Sequence, residues 1–108
     1  MIIQARLPDW LILLLWQGLI GEIYPEIRAI SVGLSKDTHR LLIRYYLDRT
    51  PIDFDFESID VVAFNISAAL GLNSIISHID VDCTFATDPV VKLDALNGFI
   101  YCRREYDI

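Results

Sequence analysis

The sequence lacks the motifs that mark most small enzymes. None of the patterns GxxxxGK[ST], GxGxxG and GxSxG is present, and such patterns carry the backbone geometry that binds phosphates or exposes a nucleophilic serine. The two histidines, His39 and His78, have no second histidine at HxH or HxxxH spacing, a pairing that many metal sites use. We therefore expect no catalytic residue, no metal and no cofactor, and we predict that the chain is not an enzyme.

Cysteine is also scarce, with Cys83 and Cys102 as the only two and no CxxC spacing. Each lies in a stretch with a strand pattern. Two cysteines so placed favour reduced, buried thiols, either on neighbouring strands or merely packed, over a disulfide or a metal site.

Positive charge is in short supply. The chain has 9 Lys and Arg residues against 15 Asp and Glu, which gives a net charge of −6 and a pI near 4.6. A negative protein repels phosphate backbones and anionic lipids and attracts basic surfaces. We expect no direct binding of nucleic acid or membrane, and a basic partner instead.

A long hydrophobic run is missing as well. The apolar run at 10–16 falls short of the roughly 18 to 20 residues that a spanning helix needs. Its flanks, with Asp9 before it and no small-x-small site after it, do not match a signal peptide. The run predicts a buried helix in a cytoplasmic protein.

What the chain does have is apolar surface, at 54% hydrophobic residues and a mean hydropathy of +0.41. So short a chain forms one core, which predicts a single domain over residues 1–108. A small interior cannot hide all of this surface, so part of it is expected to face a partner or a second copy, which leaves a homodimer open.

The hydropathy pattern predicts an α+β fold. Period-3.6 and period-2 patterns, with their Gly, Pro and Asn breaks, predict a helix at 8–20, strands at 27–34 and 40–47, a helix from 53–57 to 70, a strand at 79–85, an irregular turn or short helix at 90–96, and a strand at 99–104. The connections are too short for most parallel crossovers. We therefore predict a mainly antiparallel four-stranded sheet with two helices packed on one face, in the order α-β-β-α-β-β.

Acidic residues concentrate between positions 48 and 94, where Arg49 and Lys92 are the only basic residues. In the segment at 53–57, acids alternate with phenylalanines, as in an interface whose charges steer a partner and whose aromatics anchor it. The alternative is that these acids cap a helix, that the phenylalanines pack on the core, and that the acids of the third strand pair with Arg40, Arg44 or Arg103. The predicted partner-binding residues are Asp53, Asp55, Phe56, Glu57, Asp60, Asp80 and Asp82.

The segments LIRYYLDRTP (42–51), DFESI (55–59) and KLDALNGFIYCRRE (92–105) resemble the CdiI-like immunity proteins of bacterial contact-dependent growth inhibition. The likeness covers most of the chain from the first strand onward. It implies a single immunity-protein-like domain that binds a basic toxin C-terminal domain, commonly a nuclease such as a tRNA-cleaving ribonuclease, and blocks it without catalysis.

Two other hypotheses stay open. The first is a small enzyme or ligand-binding domain whose pocket lies between the sheet and the first helix, lined by Tyr45, Tyr46 or His39. The second is a homo-oligomer whose seam is the apolar segment at 10–20.

Overall fold

A computed structural model of the protein describes residues 7–71 and 75–105. The elements are α1 (Asp9–Leu19), β1 (Ile27–Ser35), β2 (Arg40–Leu47), α2 (Asp53–Leu70), β3 (His78–Phe85), a 3-10 turn (Val90–Lys92) and β4 (Gly98–Cys102). The predicted α+β class and the order α-β-β-α-β-β are confirmed, and the short helix expected within 90–96 is the 3-10 turn.

Local hydrogen bonds stabilise the starts of both helices, and a glycine ends α2. The Pro8 carbonyl accepts hydrogen bonds from the Leu11 and Ile12 N–H groups at the start of α1. At the start of α2, the Asp55 carboxylate accepts a hydrogen bond from the Ile52 N–H at 2.9 Å, which satisfies a donor that the helix leaves without a partner. After α2, Gly71 has a φ of +66°, a conformation that favours glycine and ends the helix.

The four strands form one mixed sheet in the order β3-β2-β1-β4. β1 pairs antiparallel with β2, as predicted, and also with β4, whereas β2 and β3 run parallel. The connections were expected to be too short for most parallel crossovers, and this pair is the exception. The 18-residue α2 is itself the crossover, because a βαβ connection needs about a dozen residues or more.

The hydrophobic core lies between the sheet and the two helices. Alternate residues of β2, such as Ile43 and Tyr45, face α1 and α2 and are fully buried, in line with the period of two in a strand. The helices pack closely against one another where α1 carries Gly18. A Cβ at this position would lie 2.8 Å from Cγ1 of Ile66 in α2, so a larger residue cannot be added without a shift.

The sheet face opposite the helices is polar and carries ion pairs. Arg40 pairs with Asp80 and Arg44 with Asp82, at 2.9 and 2.8 Å, between β2 and β3. Residues 86–97 run from β3 at one edge of the sheet to β4 at the other. The Tyr46 hydroxyl donates a hydrogen bond to the carbonyl of Asp94 in this connection at 2.8 Å, so the connection lies against this face.

The two cysteines do not approach one another, because β3 and β4 are opposite edges of the sheet. Cys83 is buried, as predicted, and burial raises the pKa of its thiol to about 12. The same expectation is wrong for Cys102, which is exposed. Among the described residues, neither helix has the length and hydropathy needed to cross a bilayer.

Candidate protein-binding surface

The two helices together form a layer that carries acids and no cation. Their sequences contain Asp9, Asp53, Asp55, Glu57 and Asp60, and neither helix contains Lys or Arg. The opposite face of the sheet carries arginines that are paired with carboxylates. The fold therefore separates the negative charge of the helical layer from the balanced charges of the sheet.

Asp55 is not part of the exposed surface. Its side chain is fully buried, accepts hydrogen bonds from the Tyr24 hydroxyl at 2.6 Å and from Arg49 Nη2 at 2.8 Å, and also binds the Ile52 N–H. Burial alone would raise the pKa of Asp55, but these hydrogen bonds outweigh it and lower the pKa below its ordinary value. Asp55 was predicted to bind the partner, but the first turn of α2 points its side chain inward.

The other predicted acids of α2 do lie on one surface. Asp53, Glu57 and Asp60 are exposed and follow the outer face of the helix. Within the described part of the chain none of the three forms an ion pair. Three carboxylates without a counter-charge on one helix face attract a basic surface.

Large apolar side chains lie beside these acids. On α2, Phe54, Val61 and Phe64 are 53, 46 and 63% exposed. We call the set Asp53, Phe54, Glu57, Asp60, Val61 and Phe64 the acidic helical surface. Phe56, which was also predicted, is 44% exposed but lies two residues, or about 200°, around the helix from Phe54. Exposed aromatic residues next to charges are typical of protein interfaces.

The outer face of α1 continues the apolar surface. Its exposed members are Trp10, Leu13, Trp16 and Ile20, the last 77% exposed. The sequence predicted a buried helix, whereas α1 is buried only on its inner face, at Leu11, Leu15, Gly18 and Leu19. Contiguous exposed apolar surface of this kind marks sites where another molecule binds.

A groove of about 350 Å³ lies between α2 and the chain that follows α1. Gly21, with a φ of +78°, turns the chain so that the next residues run along the start of α2. The lining residues are Gly21, Glu22, Ile23, Tyr24, Phe54, Glu57, Ser58 and Val61. We call this the Glu22–Glu57 groove.

Sequence reasoning missed most of this groove. The four α2 residues that line it are spaced i, i+3, i+4 and i+7, which is the signature of one helix face. That spacing could have revealed Val61 and Ser58. Nothing in the sequence reveals that Glu22 and Ile23 lie opposite them, since the turn at Gly21 depends on how α1 packs.

Asp80 and Asp82 lie elsewhere, on the polar face of the sheet. Asp80 receives two hydrogen bonds from Arg40, at 2.9 and 3.0 Å, and Asp82 receives one from Arg44 at 2.8 Å. The Arg40 hydrogen bonds are the main cause that lowers the pKa of Asp80. The alternative interpretation, pairing with Arg40 and Arg44, is confirmed. The seven predicted residues therefore do not form one site.

The residues suggested for a ligand pocket do not converge either. Tyr45 is fully buried in the core, Tyr46 binds Asp94 on the other sheet face, and His39 lies in the exposed turn before β2. Two grooves do lie between α1 and β4, but none of these three residues lines them. No group of three or more metal-binding side chains occurs within residues 7–71 and 75–105.

The model of one protein family, described as MafI2 immunity protein, matches residues 8–105. The chain belongs to the MafI2 immunity protein family. Membership implies a toxin-immunity protein with a cognate toxin as partner, and it suggests inhibition without catalysis. Membership of the MafI2 family does not support the resemblance to contact-dependent growth inhibition proteins in particular, because Maf is a different polymorphic toxin system. No curated protein matches the chain.

Proposed function

We propose that the protein binds a basic nuclease toxin of the Maf type in the cytoplasm and neutralises it stoichiometrically, through the acidic helical surface. One observation carries this proposal: Glu57 and Asp60 are exposed, have no counter-charge among the described residues, and adjoin exposed Phe54, Val61 and Phe64. A nuclease that binds phosphate backbones needs a basic groove, and these carboxylates complement its charge.

The charges and the apolar residues make different contributions to the complex. Unpaired carboxylates on one face speed association by steering, and this effect weakens as salt is added. The aromatic residues become buried on contact and slow dissociation. We therefore expect fast, salt-sensitive association together with slow dissociation.

The first experiment identifies the toxin and the mode of inhibition. Tagged protein captures its partner from the native host at low salt, and the partner is eluted by raising the salt. Purified toxin is then titrated with the protein. Activity that falls linearly to zero at one equivalent supports stoichiometric inhibition, whereas full inactivation by a small fraction of an equivalent shows catalysis and refutes the proposal.

A charge-reversal pair tests the surface. Glu57→Lys with Asp60→Lys is expected to raise the Kd for the toxin by roughly one to two powers of ten, mainly through slower association at low salt. Asp53 is left unchanged, because a lysine at the start of α2 would oppose the helix dipole.

The matched control is Asp37→Lys with Asp88→Lys, which changes the net charge equally at two exposed acids outside the helices. The control is expected to bind within a few-fold of the wild type. Equal loss in the two doubles would show that only net charge matters and would refute the assignment to α2. Circular dichroism confirms that each double variant is folded.

The apolar outer face of α1 is the seam that a homodimer would use. Sedimentation velocity of wild type and Leu13→Glu tests it, because Leu13 is 56% exposed and its replacement leaves the core unchanged. A dimer that becomes a monomer in the variant supports this seam, and a monomeric wild type refutes it.

A further inference from the structure

The Glu22–Glu57 groove is more specific than an acidic surface, because its two carboxylates stand on opposite walls. Glu22 lies on the segment after α1, and Glu57 lies on α2. No Lys or Arg side chain is among the residues that line the groove. A cation placed between the walls would meet a negative charge on each side.

The aromatic side chains at one end of the groove are held in place by their neighbours. The rings of Tyr24 and Phe54 meet edge to face, with centroids 5.0 Å apart and planes at 68°. The Tyr24 hydroxyl is held by the buried Asp55 at 2.6 Å. Because Asp55 is itself bound by Arg49, the aromatic wall does not need to reorganise when a partner binds.

A buried tyrosine of β2 lies behind the aromatic wall. The Tyr45 hydroxyl is buried and has no hydrogen-bond partner among the described residues. Burial raises the pKa of this hydroxyl. Tyr45 does not itself line the groove, but its ring meets that of Tyr24 edge to face, with centroids 6.4 Å apart and planes at 71°, so it supports the aromatic wall from the core side.

We propose that the Glu22–Glu57 groove binds one arginine side chain of the cognate toxin. The aliphatic stem would lie on Ile23 and Val61, which are 41 and 46% exposed. The planar guanidinium would form hydrogen bonds with the carboxylates and stack on the aromatic wall, which the ammonium of lysine cannot match. The inference rests on the proposed function, since it names what that function recognises.

A small probe tests the groove without the toxin. N-acetyl-arginine amide is titrated into the full-length, 15N-labelled protein. We expect saturable shifts confined to the backbone amides at 21–24 and 54–61. The lysine analogue and the neutral citrulline analogue are expected to bind about fivefold more weakly or worse, because each lacks part of the charged, planar contact.

Variants make the test decisive. Glu22→Gln with Glu57→Gln is expected to weaken binding of the arginine probe about fivefold, the size of an exposed ion-pair contribution. Asp9→Asn, which removes one carboxylate at the far end of α1, is expected to leave binding unchanged. Three results would overturn the inference. They are chemical-shift changes near all the acidic residues, binding of the citrulline or lysine analogue as tight as that of the arginine probe, and an equal loss of probe affinity in Asp9→Asn.

The purified toxin separates the two proposals. If wild type binds the toxin and the glutamine double variant binds equally well, the arginine groove is refuted while the immunity function stands. If wild type does not bind the toxin, the proposed function fails, and the probe titration still decides whether the groove takes arginine.

Discussion

The buried carboxylate of Asp55 gives the sharpest prediction of stability. In Asp55→Asn, the amide keeps the shape of the side chain but loses the charge that pairs with Arg49, and it loses one acceptor oxygen. Tyr24 can still donate to the remaining amide oxygen. The Ile52 N–H, which now binds Oδ2 at 2.9 Å, would meet an NH₂ group instead.

The magnitude follows from these losses. Breaking a buried ion pair costs about 3–5 kcal/mol when the remaining partner cannot be solvated. Arg49 is 33% exposed and can regain water, so the cost lies near the lower limit. We expect unfolding to become about 3 kcal/mol easier at pH 7, which lowers the Tm of a domain of this size by about 15 °C.

Urea unfolding followed by circular dichroism measures this change. The matched control is Asp53→Asn, two residues earlier in the same turn, where the side chain is exposed and a shift of less than about 0.5 kcal/mol is expected. If the two variants differ by less than that, Asp55 does not hold the start of α2, and the reasoning is refuted.

Wild type and Asp55→Asn also give a test of the pH dependence of stability. The pKa of Asp55 is lowered in the folded protein, so its contribution is complete above the unfolded pKa of about 3.9 and is lost as pH falls through the folded value. The stability difference between wild type and Asp55→Asn should therefore be constant above about pH 5 and shrink below about pH 4. A difference that grows in acid would contradict the sign.

Two further predictions concern packing and the ion pairs near the C-terminus. Glu105→Gln should lower the free energy of unfolding by about 1–3 kcal/mol at neutral pH, because hydrogen bonds from Arg28 lower the pKa of Glu105 to about 2. Urea titrations should show that this loss disappears towards pH 2. A loss that stays constant with pH would contradict the prediction. Gly18→Ala should destabilise the protein by about 1 kcal/mol or more, because its Cβ would meet Ile66. Gly98→Ala serves as the neutral control, since a Cβ there would meet no atom within 4 Å. Thermal melts compare the two variants, and equal changes in Tm would refute the close contact at Gly18.

Much of the fold could be predicted because its signals are local. The residues that alternate along β2, the break at Pro51 and the stop at Gly71 each depend on a few neighbours in sequence. The parallel pairing of β3 with β2 could not be predicted in this way. Antiparallel and parallel strands have similar residue patterns, and α2 alone made the crossover long enough.

The candidate site was harder to predict because charge in a sequence does not reveal partners in space. Asp55 resembles Asp53 and Glu57 in the sequence, yet its charge is paired with Arg49, and it accepts a hydrogen bond from Tyr24, which lies 31 positions away. Asp80 and Asp82 have partners across a strand pair, as the alternative hypothesis proposed. Among the predicted acids, Asp53, Glu57 and Asp60 are exposed and form no ion pair within the described part of the chain.

The place of β4 has a consequence for synthesis of the protein on the ribosome. β4 pairs with β1, and the nearby Glu105 binds Arg28, 77 positions earlier. Pairing between distant segments is slow and must wait until both exist. Until residue 105 has left the ribosome, β1 presents an open edge, and a chain that stalls before this point exposes apolar strands to proteases and aggregation. The sheet, and the surface that its helices form, can therefore be complete only after β4 and Glu105 have been synthesised.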